Sequence, residues 1–370
     1  MNSLKYINDL IIKLEKIYAN PIDKKVFVGF DGYIDKIQKA VKTRTKESVE
    51  YYSTLKEFAQ RIDNAAGKSG QVELVTHDVK LGGNAPIMAN ALGALGVPSY
   101  CLGNAGYPTN HPEYNNLSEK VEVLSIGEPA ETNALEFNDG KLILSELSTF
   151  RKIDWNYVKN LIGLDNLTAY LSDSAILALV GWCNPDHATD VWRGILNDVM
   201  PNYSAKDLLF FDLADPSKKN KEDLLEVLEV INAFAKYGKV MLGINENETN
   251  KLFAILSEEY QQDVPENPDL ESKGKYIYSI MNIEGLLIHP VDRCIMITSE
   301  DVINLEGNII LEPKISTGGG DNLNAGFCMG YILGYSLEES MILGMATSGA
   351  YVKNGESPDI LAIISYLKTW

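Results

Sequence analysis

Short segments rich in aliphatic and aromatic residues alternate with amphipathic helical patterns along most of the chain. This alternation predicts an α/β fold in which helices cover both faces of a mostly parallel central sheet. Helical spacing is predicted for residues 1–18, 189–199, 221–237 and 277–283. The predicted core strands are residues 24–30, 99–104, 175–181, 208–214, 239–245 and 294–298.

Two regions interrupt the alternation and have the pattern of antiparallel strands. They are residues 72–81 and residues 120–147, and the second contains an Asn-Asp-Gly turn. We interpret residues 1–370 as a single α/β domain, with a small β-sheet lid formed by inserted segments near 38–50, 72–81 and 120–147. An ordinary extension of the edge of the main sheet is the alternative.

Composition and charge narrow the choice of partners. The chain has 33 basic and 51 acidic residues, a net charge of −18, which argues against binding to nucleic acid or to anionic membrane surfaces. The apolar runs are shorter than the roughly 18 residues of a membrane helix, and the N-terminus lacks a signal-peptide cleavage pattern. Four isolated cysteines lie in apolar sequence, so we expect buried reduced thiols and a cytoplasmic location.

The most specific motif is a run of three glycines that ends at an aspartate and opens an apolar helix, at residues 316–327. Gly318, Gly319 and Gly320 allow several backbone N–H groups to converge, and the following helix adds the positive end of its dipole. These features predict an anion-binding site. Asp321 at its edge can accept a proton from a hydroxyl that attacks a bound phosphoryl group. The alternative is that Asp321 only caps the helix.

A second glycine turn precedes another predicted helix. Gly82 and Gly83 have no Cβ atoms, so the backbone there can approach a ligand closely, and Asn84 is the predicted N-cap. A Gly-Gly turn before a helix is common, so this motif alone is weak evidence for a binding site.

Polar side chains also follow two of the predicted strands. Asp31 and Asp35 leave the first strand, and carboxylates there suit hydrogen bonds from neighbouring sugar hydroxyls; a simple turn is the alternative. Asn245 and Glu248 follow a later strand, at the sheet edge where open α/β sheets bind ligands. An amide and a carboxylate suit a water-ligated magnesium ion, while a solvated acidic N-cap is the alternative.

In this order, the four motifs resemble the ribokinase-like (PfkB) carbohydrate kinase family over about residues 26–353. The resemblance implies that Asp321 deprotonates the acceptor hydroxyl and that the amides of the three glycines hold the transferring phosphate. It implies that Asn245 and Glu248 serve the phosphates of ATP and Mg²⁺. The strand that reaches Thr298 would lie on the nucleotide side, and the adenine over residues 346–354. Asp35, Gly82 and Gly83 would hold the acceptor, with Asn84 beside them.

Several positions depart from the family pattern. Ile315 stands where many relatives have an aspartate that supports a monovalent-cation loop, which argues against potassium activation. Residues 298–302 lack the glycines usual after the nucleotide-side strand. Ile87 replaces a sugar-contacting Asn, and residues 182–184 replace an acceptor-binding Glu of ribokinases. We therefore do not expect a ribose pocket.

The leading hypothesis is a cytoplasmic, magnesium-dependent kinase that transfers the terminal phosphoryl group of ATP to a hydroxymethyl group of a sugar or sugar-like substrate. Its partners would be a small-molecule sugar or nucleoside and a nucleotide, and the family suggests a homodimer through the lid. The alternative is a non-catalytic sugar- or nucleoside-binding or regulatory protein on the same fold. The chain lacks GxGxxG after the first strand, so a dinucleotide-dependent oxidoreductase is not expected.

Overall fold

The computed structural model describes residues 4–203, 206–315 and 317–370, so Ser316 of the glycine motif lies outside the described residues. All six predicted core strands are present within about two residues of their expected bounds. The strands of the described chain are β1 (Lys25–Gly29), β2 (Tyr33–Arg44), β3 (Val49–Tyr51), β4 (Leu74–Gly82), β5 (Ser99–Gly103), β6 (Val121–Ser125), β7 (Ala130–Phe137), β8 (Gly140–Glu146), β9 (Ser174–Leu179), β10 (Lys206–Asp212), β11 (Gly238–Ile244), β12 (Gly285–Ile288), β13 (Arg293–Thr298) and β14 (Val302–Glu306).

The helices differ more from their predicted bounds than the strands do. The α-helix predicted at 189–199 ends at Gly194 and continues as a π-helical turn, Ile195–Val199. The helix predicted at 277–283 is the end of a longer helix that begins at Leu270 and ends at Ile280. The helices are α1 (Leu4–Tyr18), α2 (Leu55–Asp63), α3 (Asn84–Ala94), α4 (Trp155–Ile162), α5 (Leu164–Ser172), α6 (Ala188–Gly194), α7 (Lys221–Phe234), α8 (Glu246–Tyr260), α9 (Leu270–Ile280), α10 (Gly319–Ile332), α11 (Leu337–Asn354) and α12 (Ile360–Leu367).

Nine of the described strands form the large sheet, in the order β14-β13-β12-β11-β10-β9-β1-β5-β6. The seven from β12 to β6 pair in parallel, whereas β13 and β14 are antiparallel additions at one edge. Phe27 faces one hydrophobic core and its neighbours Val26 and Val28 face the other, so both faces of the sheet are buried. Helices α1, α3 and α10–α12 cover one face and α4–α9 the other, which confirms the predicted α/β class.

Five described strands form a smaller sheet beside the large one. The chain enters it from β1 through residues 30–32, and β2 then pairs with β3 and β4 in antiparallel fashion and with β7 in parallel. β8 pairs with β7 at the edge. One assignment to this sheet was wrong: Val121–Ser125 pairs in parallel with β5 as the last strand of the large sheet. Its apolar residues pack in the layered core, which a hairpin pattern alone does not reveal.

The described residues also bear on the predictions from composition. The four cysteines, Cys101, Cys183, Cys294 and Cys328, are buried and free, as expected. In the described part of the chain, every helix is too short or too polar to cross a lipid bilayer.

Candidate active site

A cavity of about 630 Å³ lies between the small sheet and the carboxyl ends of the parallel strands. Asp35 and Tyr33 of β2 line it on one side, and Gly318 and Asp321 at the start of α10 line it on the other. Parallel strands and the helices that follow them direct helix N-termini toward this edge of a sheet. The cleft therefore combines polar side chains from the small sheet with the positive ends of helices that cover the large sheet.

The start of α10 is the glycine motif. Gly318 is the N-cap residue with a φ of 89°, and Gly319 and Gly320 are the first two helical residues. Their N–H groups belong to the first turn, which has no intrahelical acceptors. The Tyr351 hydroxyl donates to the Thr317 carbonyl at 2.9 Å and restrains the residue before the N-cap. A Cβ added to Gly318 would lie 2.8 Å from that hydroxyl, so the turn requires glycine.

Asp321 is the third residue of α10 and not its cap. Its side chain is 6% exposed, and Asn84 Nδ2 donates to its Oδ1 at 2.8 Å. Burial is the main reason that the pKa of Asp321 lies well above its usual range, and the charge of Asp212 raises it further. The Asn84 hydrogen bond acts in the opposite direction because it stabilises the carboxylate. A buried carboxyl group with a raised pKa, facing a cleft, can serve as a general base.

Asp31, a carboxylate that we expected to bind sugar hydroxyls, is not in contact with the cavity. Its carboxylate is fully buried and accepts hydrogen bonds from the backbone N–H groups of Asn84 at 2.9 Å and Ala85 at 2.8 Å. Burial raises the pKa of Asp31 to about 7. The residue therefore caps α3 from the adjacent strand end and does not line the cavity. Gly83, and not Asn84, is the N-cap residue of α3, and its φ of 100° favours glycine.

Of the two aspartates that follow β1, Asp35 is the one that reaches the cavity. It lies on β2 opposite Lys80 of β4, and burial raises its pKa while a hydrogen bond with Thr132 opposes that rise. A Cβ at Gly82 would lie 2.5 Å from Asp35 Oδ2, so the second glycine motif leaves room for this carboxylate. Asp35, Gly83 and Asn84 thus line one wall together.

Asn245 and Glu248 form a capping box at the start of α8. The backbone N–H of Glu248 donates to Asn245 Oδ1 at 3.0 Å, and the backbone N–H of Asn245 donates to Glu248 Oε2 at 2.9 Å. Asn245 is thus an N-cap, but Glu248 is 4% exposed and is not the solvated acid of the alternative interpretation. Burial, followed by the charge of Asp212, raises the pKa of Glu248 to about 8.

Asp212 is a site residue that the sequence interpretation missed. It ends β10, is buried, and accepts from Asn324 Nδ2 at 2.6 Å and from the Ala214 amide at 2.7 Å. Its charge raises the pKa of both Glu248 and Asp321, so it lies within electrostatic range of both motifs. The signal that could have found it is an aspartate at the carboxyl end of a buried parallel strand.

The structure does not bring Thr298 to this site. β13 runs antiparallel to β12, so Thr298 pairs with Gly285 at the amino end of β12, the opposite edge of the sheet. The carboxyl end of β12 is followed by His289, which lines a second cavity of about 420 Å³ together with Asn245 and the turn before β13. An added Cβ at Gly320 would lie 3.3 Å from the His289 ring, so this second cavity adjoins the glycine motif.

The chain resembles known proteins in sequence and in fold. The chain matches the family model of prokaryotic ketohexokinase over residues 12–370. It is 25% identical over 338 residues to a ketohexokinase of Haloferax volcanii, and the match covers 90% of this chain and 88% of that protein.

Solved structures show a similar fold at low sequence identity. Ribokinase from Thermotoga maritima has a TM-score of 0.62 at 15% identity, covering 94% of this chain and all of the other. Phosphofructokinase-2 from Escherichia coli, in complex with substrates and products, has a TM-score of 0.63 at 12% identity, with 94% and 99% covered. A nucleoside kinase from Methanocaldococcus jannaschii has a TM-score of 0.58 at 16% identity, with 95% and 99% covered. The expected ribokinase-like fold is confirmed.

Proposed function

Since the chain belongs to the prokaryotic ketohexokinase family, we propose that it transfers the terminal phosphoryl group of ATP to a hydroxymethyl group of a ketohexose. The prediction of a carbohydrate kinase, a phosphotransferase with an alcohol acceptor, is confirmed by this membership and by the Haloferax volcanii relative. Neither comparison favours the alternative of a non-catalytic binding or regulatory protein. The donor, the metal ion and the choice of sugar are the parts that we propose.

The position of Asp321 is the observation that supports the proposal most strongly. Asn84 holds Oδ1, and among the described residues no donor engages Oδ2, so that oxygen can accept the proton of an alcohol. The N–H groups at the start of α10 lie beside it and can stabilise the negative charge on the transferring phosphoryl group. In the reaction the acceptor oxygen forms a bond to phosphorus, the bond to the leaving nucleoside diphosphate breaks, and Asp321 takes the proton.

A ketohexose offers several hydroxyls, and the wall of the cavity offers matching polar groups. Tyr33 is 8% exposed, and its hydroxyl lies near Asn184 without a well-formed hydrogen bond to any described residue. An unpaired buried hydroxyl costs about 1–3 kcal/mol, a cost that a sugar hydroxyl can remove. We assign Tyr33, Asp35, Asn84 and Asn184 to the acceptor.

The residues near Glu248 fit a magnesium ion that retains water and phosphate ligands. Asp212 and Glu248 are buried acids, the charge of Asp212 raises the pKa of Glu248, and a divalent cation would favour the ionised forms of both. No group of three or more His, Cys, Asp or Glu side chains suited to hold a metal is found among the described residues. When bound, magnesium would neutralise phosphate charge in the nucleotide. Asn245 would orient Glu248, since its side-chain Nδ2 donates to Glu248 Oε1 at 2.6 Å.

The lining of the cavity does not favour a potassium requirement. Ile315 lies at the cavity wall, where its side chain offers no oxygen ligand. We expect the same turnover when potassium is replaced by sodium. A large loss of turnover in sodium would contradict this expectation.

We infer that a second copy of the chain binds the small sheet. In the described structure β8 has one strand neighbour, and Ile143 and Leu144 on it are 53% and 50% exposed. An edge strand with exposed apolar side chains favours pairing with another chain. Light scattering that shows a monomer at assay concentrations would contradict the dimer.

Free buried thiols are typical of a reducing compartment, and we place the enzyme in the cytoplasm.

The proposed function is tested by a coupled assay of nucleotide consumption. ATP and Mg²⁺ are supplied with a panel containing fructose, other ketohexoses, aldohexoses, ribose and nucleosides. We expect turnover with a ketohexose and a product phosphorylated on a hydroxymethyl oxygen. Preference for a nucleoside or ribose would refute the acceptor assignment. Thermal stabilisation by a sugar without turnover of any panel member would favour a binding protein.

A further inference from the structure

A short turn after β10 presents two neighbouring lysines in different ways. Asp215 caps the turn Pro216–Lys218 by accepting from the Ser217 amide at 3.0 Å, and the Lys219 amide donates to the Pro216 carbonyl at 3.1 Å. Pro216 is buried. The backbone on both sides of Lys218 is therefore held by local hydrogen bonds and by packing.

Lys219 already has partners within the protein. Its Nζ donates to the Pro185 carbonyl at 3.2 Å and lies 5.1 Å from the centre of the Trp182 ring. Lys218, one residue earlier, is exposed and lines the same cavity as Asp321 and Asn184. Since the two lysines have the same charge and share one turn, the difference between them is the environment of each ammonium group.

Lys218 also differs from the other cations of the cavity. Lys80 pairs with Asp78 at 3.2 Å and Lys141 pairs with Glu136 at 2.9 Å, and both belong to the small sheet. Lys218 forms no ion pair with any residue that the structure describes, and it lies in the turn after β10 of the large sheet. It is thus the lining cation whose charge is left for a ligand.

Lys218 lies near groups from both halves of the site. Its turn packs against α8, and the charge of Asp215 in the same turn acts on Glu248, on the proposed donor side. The charge of Lys218 acts on Cys183, next to Asn184 on the acceptor wall. The phosphoryl group passes from donor to acceptor during transfer, so a cation near both can contact it.

The acidic lining of the cleft makes an unpaired cation favourable for binding phosphate. The acidic side chains that line the cavity are Asp35, Glu113, Asp321 and Glu356, in a protein of net charge −18. A nucleoside triphosphate and a sugar phosphate are both anions, and the acids would repel them. An unpaired ammonium group near donor and acceptor offsets that repulsion where the charge of the phosphoryl oxygens is greatest.

We propose that Lys218 binds the transferring phosphoryl group, both as the terminal phosphate of ATP and as the phosphate of the sugar product. This inference rests on the proposed kinase function and adds a residue to it. Lys218 contacts the phosphoryl oxygens through its ammonium group and takes no part in the proton transfer to Asp321. ADP lacks the terminal phosphate, so Lys218 should distinguish ATP from ADP.

The test compares Lys218→Met with Lys80→Met, which removes the same charge from the same cavity but from a lysine paired with Asp78. Turnover is measured with the best sugar of the panel, and calorimetry measures binding of ADP and of a non-hydrolysable ATP analogue. For Lys218→Met we expect kcat to fall by on the order of 10²-fold. The ATP analogue should bind more weakly, while ADP binding changes little. Lys218→Arg should recover part of kcat, and Lys80→Met should stay near the wild type.

The outcomes separate this inference from the proposed function. Equal losses of ADP and ATP-analogue affinity, or equal loss of kcat in the two methionine variants, would overturn the assignment of Lys218. If the wild type prefers an acceptor other than a ketohexose, the choice of sugar fails, but the comparison of variants proceeds with that acceptor. If the wild type has no turnover, the proposed function fails, and the ratio of ADP to ATP-analogue affinity still tests Lys218.

Discussion

Replacing Asn84 by alanine should change the proton affinity of the catalytic base. Asn84 Nδ2 donates to Asp321 Oδ1 at 2.8 Å, and this bond lowers a pKa that burial and the charge of Asp212 raise. A hydrogen bond to a charged group contributes about 1.5–3 kcal/mol, and one pKa unit corresponds to about 1.4 kcal/mol. Without Asn84, the carboxylate is less stable relative to the acid, so a larger share of the enzyme carries a protonated Asp321 at a given pH.

The pH profile of kcat/KM measures this change directly. Asp321 acts as a base only when ionised, so activity rises with pH through its pKa. We expect the acidic limb of the Asn84→Ala profile to move to higher pH by about one unit or more, with at least a tenfold loss on that limb. The profile is recorded with saturating ATP over the range where the protein stays folded.

Asn90→Ala is the matched control for this experiment. Asn90 lies on the same helix and lines the same cavity, but its Oδ1 accepts from the backbone amide of Ser118 at 3.0 Å, and it forms no hydrogen bond with Asp321 in the described structure. Its profile should keep the wild-type acidic limb. If Asn84→Ala raises only the KM for the sugar and leaves the limb in place, Asn84 is a sugar ligand alone and the reasoning about the base is refuted.

Three further predictions concern the acids of the site. Asp321→Asn should lower kcat by on the order of 10²–10⁴ while sugar affinity stays within a few-fold; turnover at the wild-type rate would remove Asp321 from its role. Glu248→Gln should shift the magnesium titration of activity to higher concentration, whereas Glu246→Gln, an exposed acid of the same helical turn, should leave it unchanged. Burial raises the pKa of Asp31 to about 7 and that of Glu248 to about 8, so the folded protein retains protons that the unfolded chain loses above about pH 4. Stability from these groups is present below that pH and is lost as pH rises toward 8. The Tm without ligands should therefore be higher at pH 6 than at pH 8, and the reverse order would contradict the assignment.

Short-range sequence patterns predict where several polar residues of the site lie. Each buried strand is a continuous apolar run, and the polar residue that follows it lies at the ligand-binding edge when the strand is parallel. This reasoning places Asn245 and Glu248, which follow β11, at the ligand-binding edge of the large sheet, whereas Asp35 reaches the cavity from β2 of the small sheet. It applies equally to Asp212 at the end of β10, but the sequence prediction extends that strand to residue 214 and so places Asp212 inside it.

The errors arise where a local pattern does not determine strand direction or sheet membership. Thr298 ends an apolar strand as Asn245 does, but β13 reverses after a tight turn, so its carboxyl end lies at the opposite edge. Val121–Ser125 has the alternation of a half-exposed strand, which suits either the small sheet or the edge of the large one. Only long-range pairing distinguishes these choices, and a single sequence does not contain that information.

The two aspartates after β1 show why similar residues take different roles. Asp35 lies on β2 and lines the cavity, while Asp31 precedes β2 and turns inward to cap α3. By capping α3, Asp31 fixes the backbone of Asn84, and the Asn84 side chain in turn holds Asp321. The motifs at residues 29–37 and 81–96, which the family resemblance assigns to the acceptor side, therefore also position the base, because a strand end, a helix start and the glycine motif meet at one carboxylate. A substitution at Asp31 should consequently act on catalysis through Asn84, although Asp31 itself does not reach the cavity.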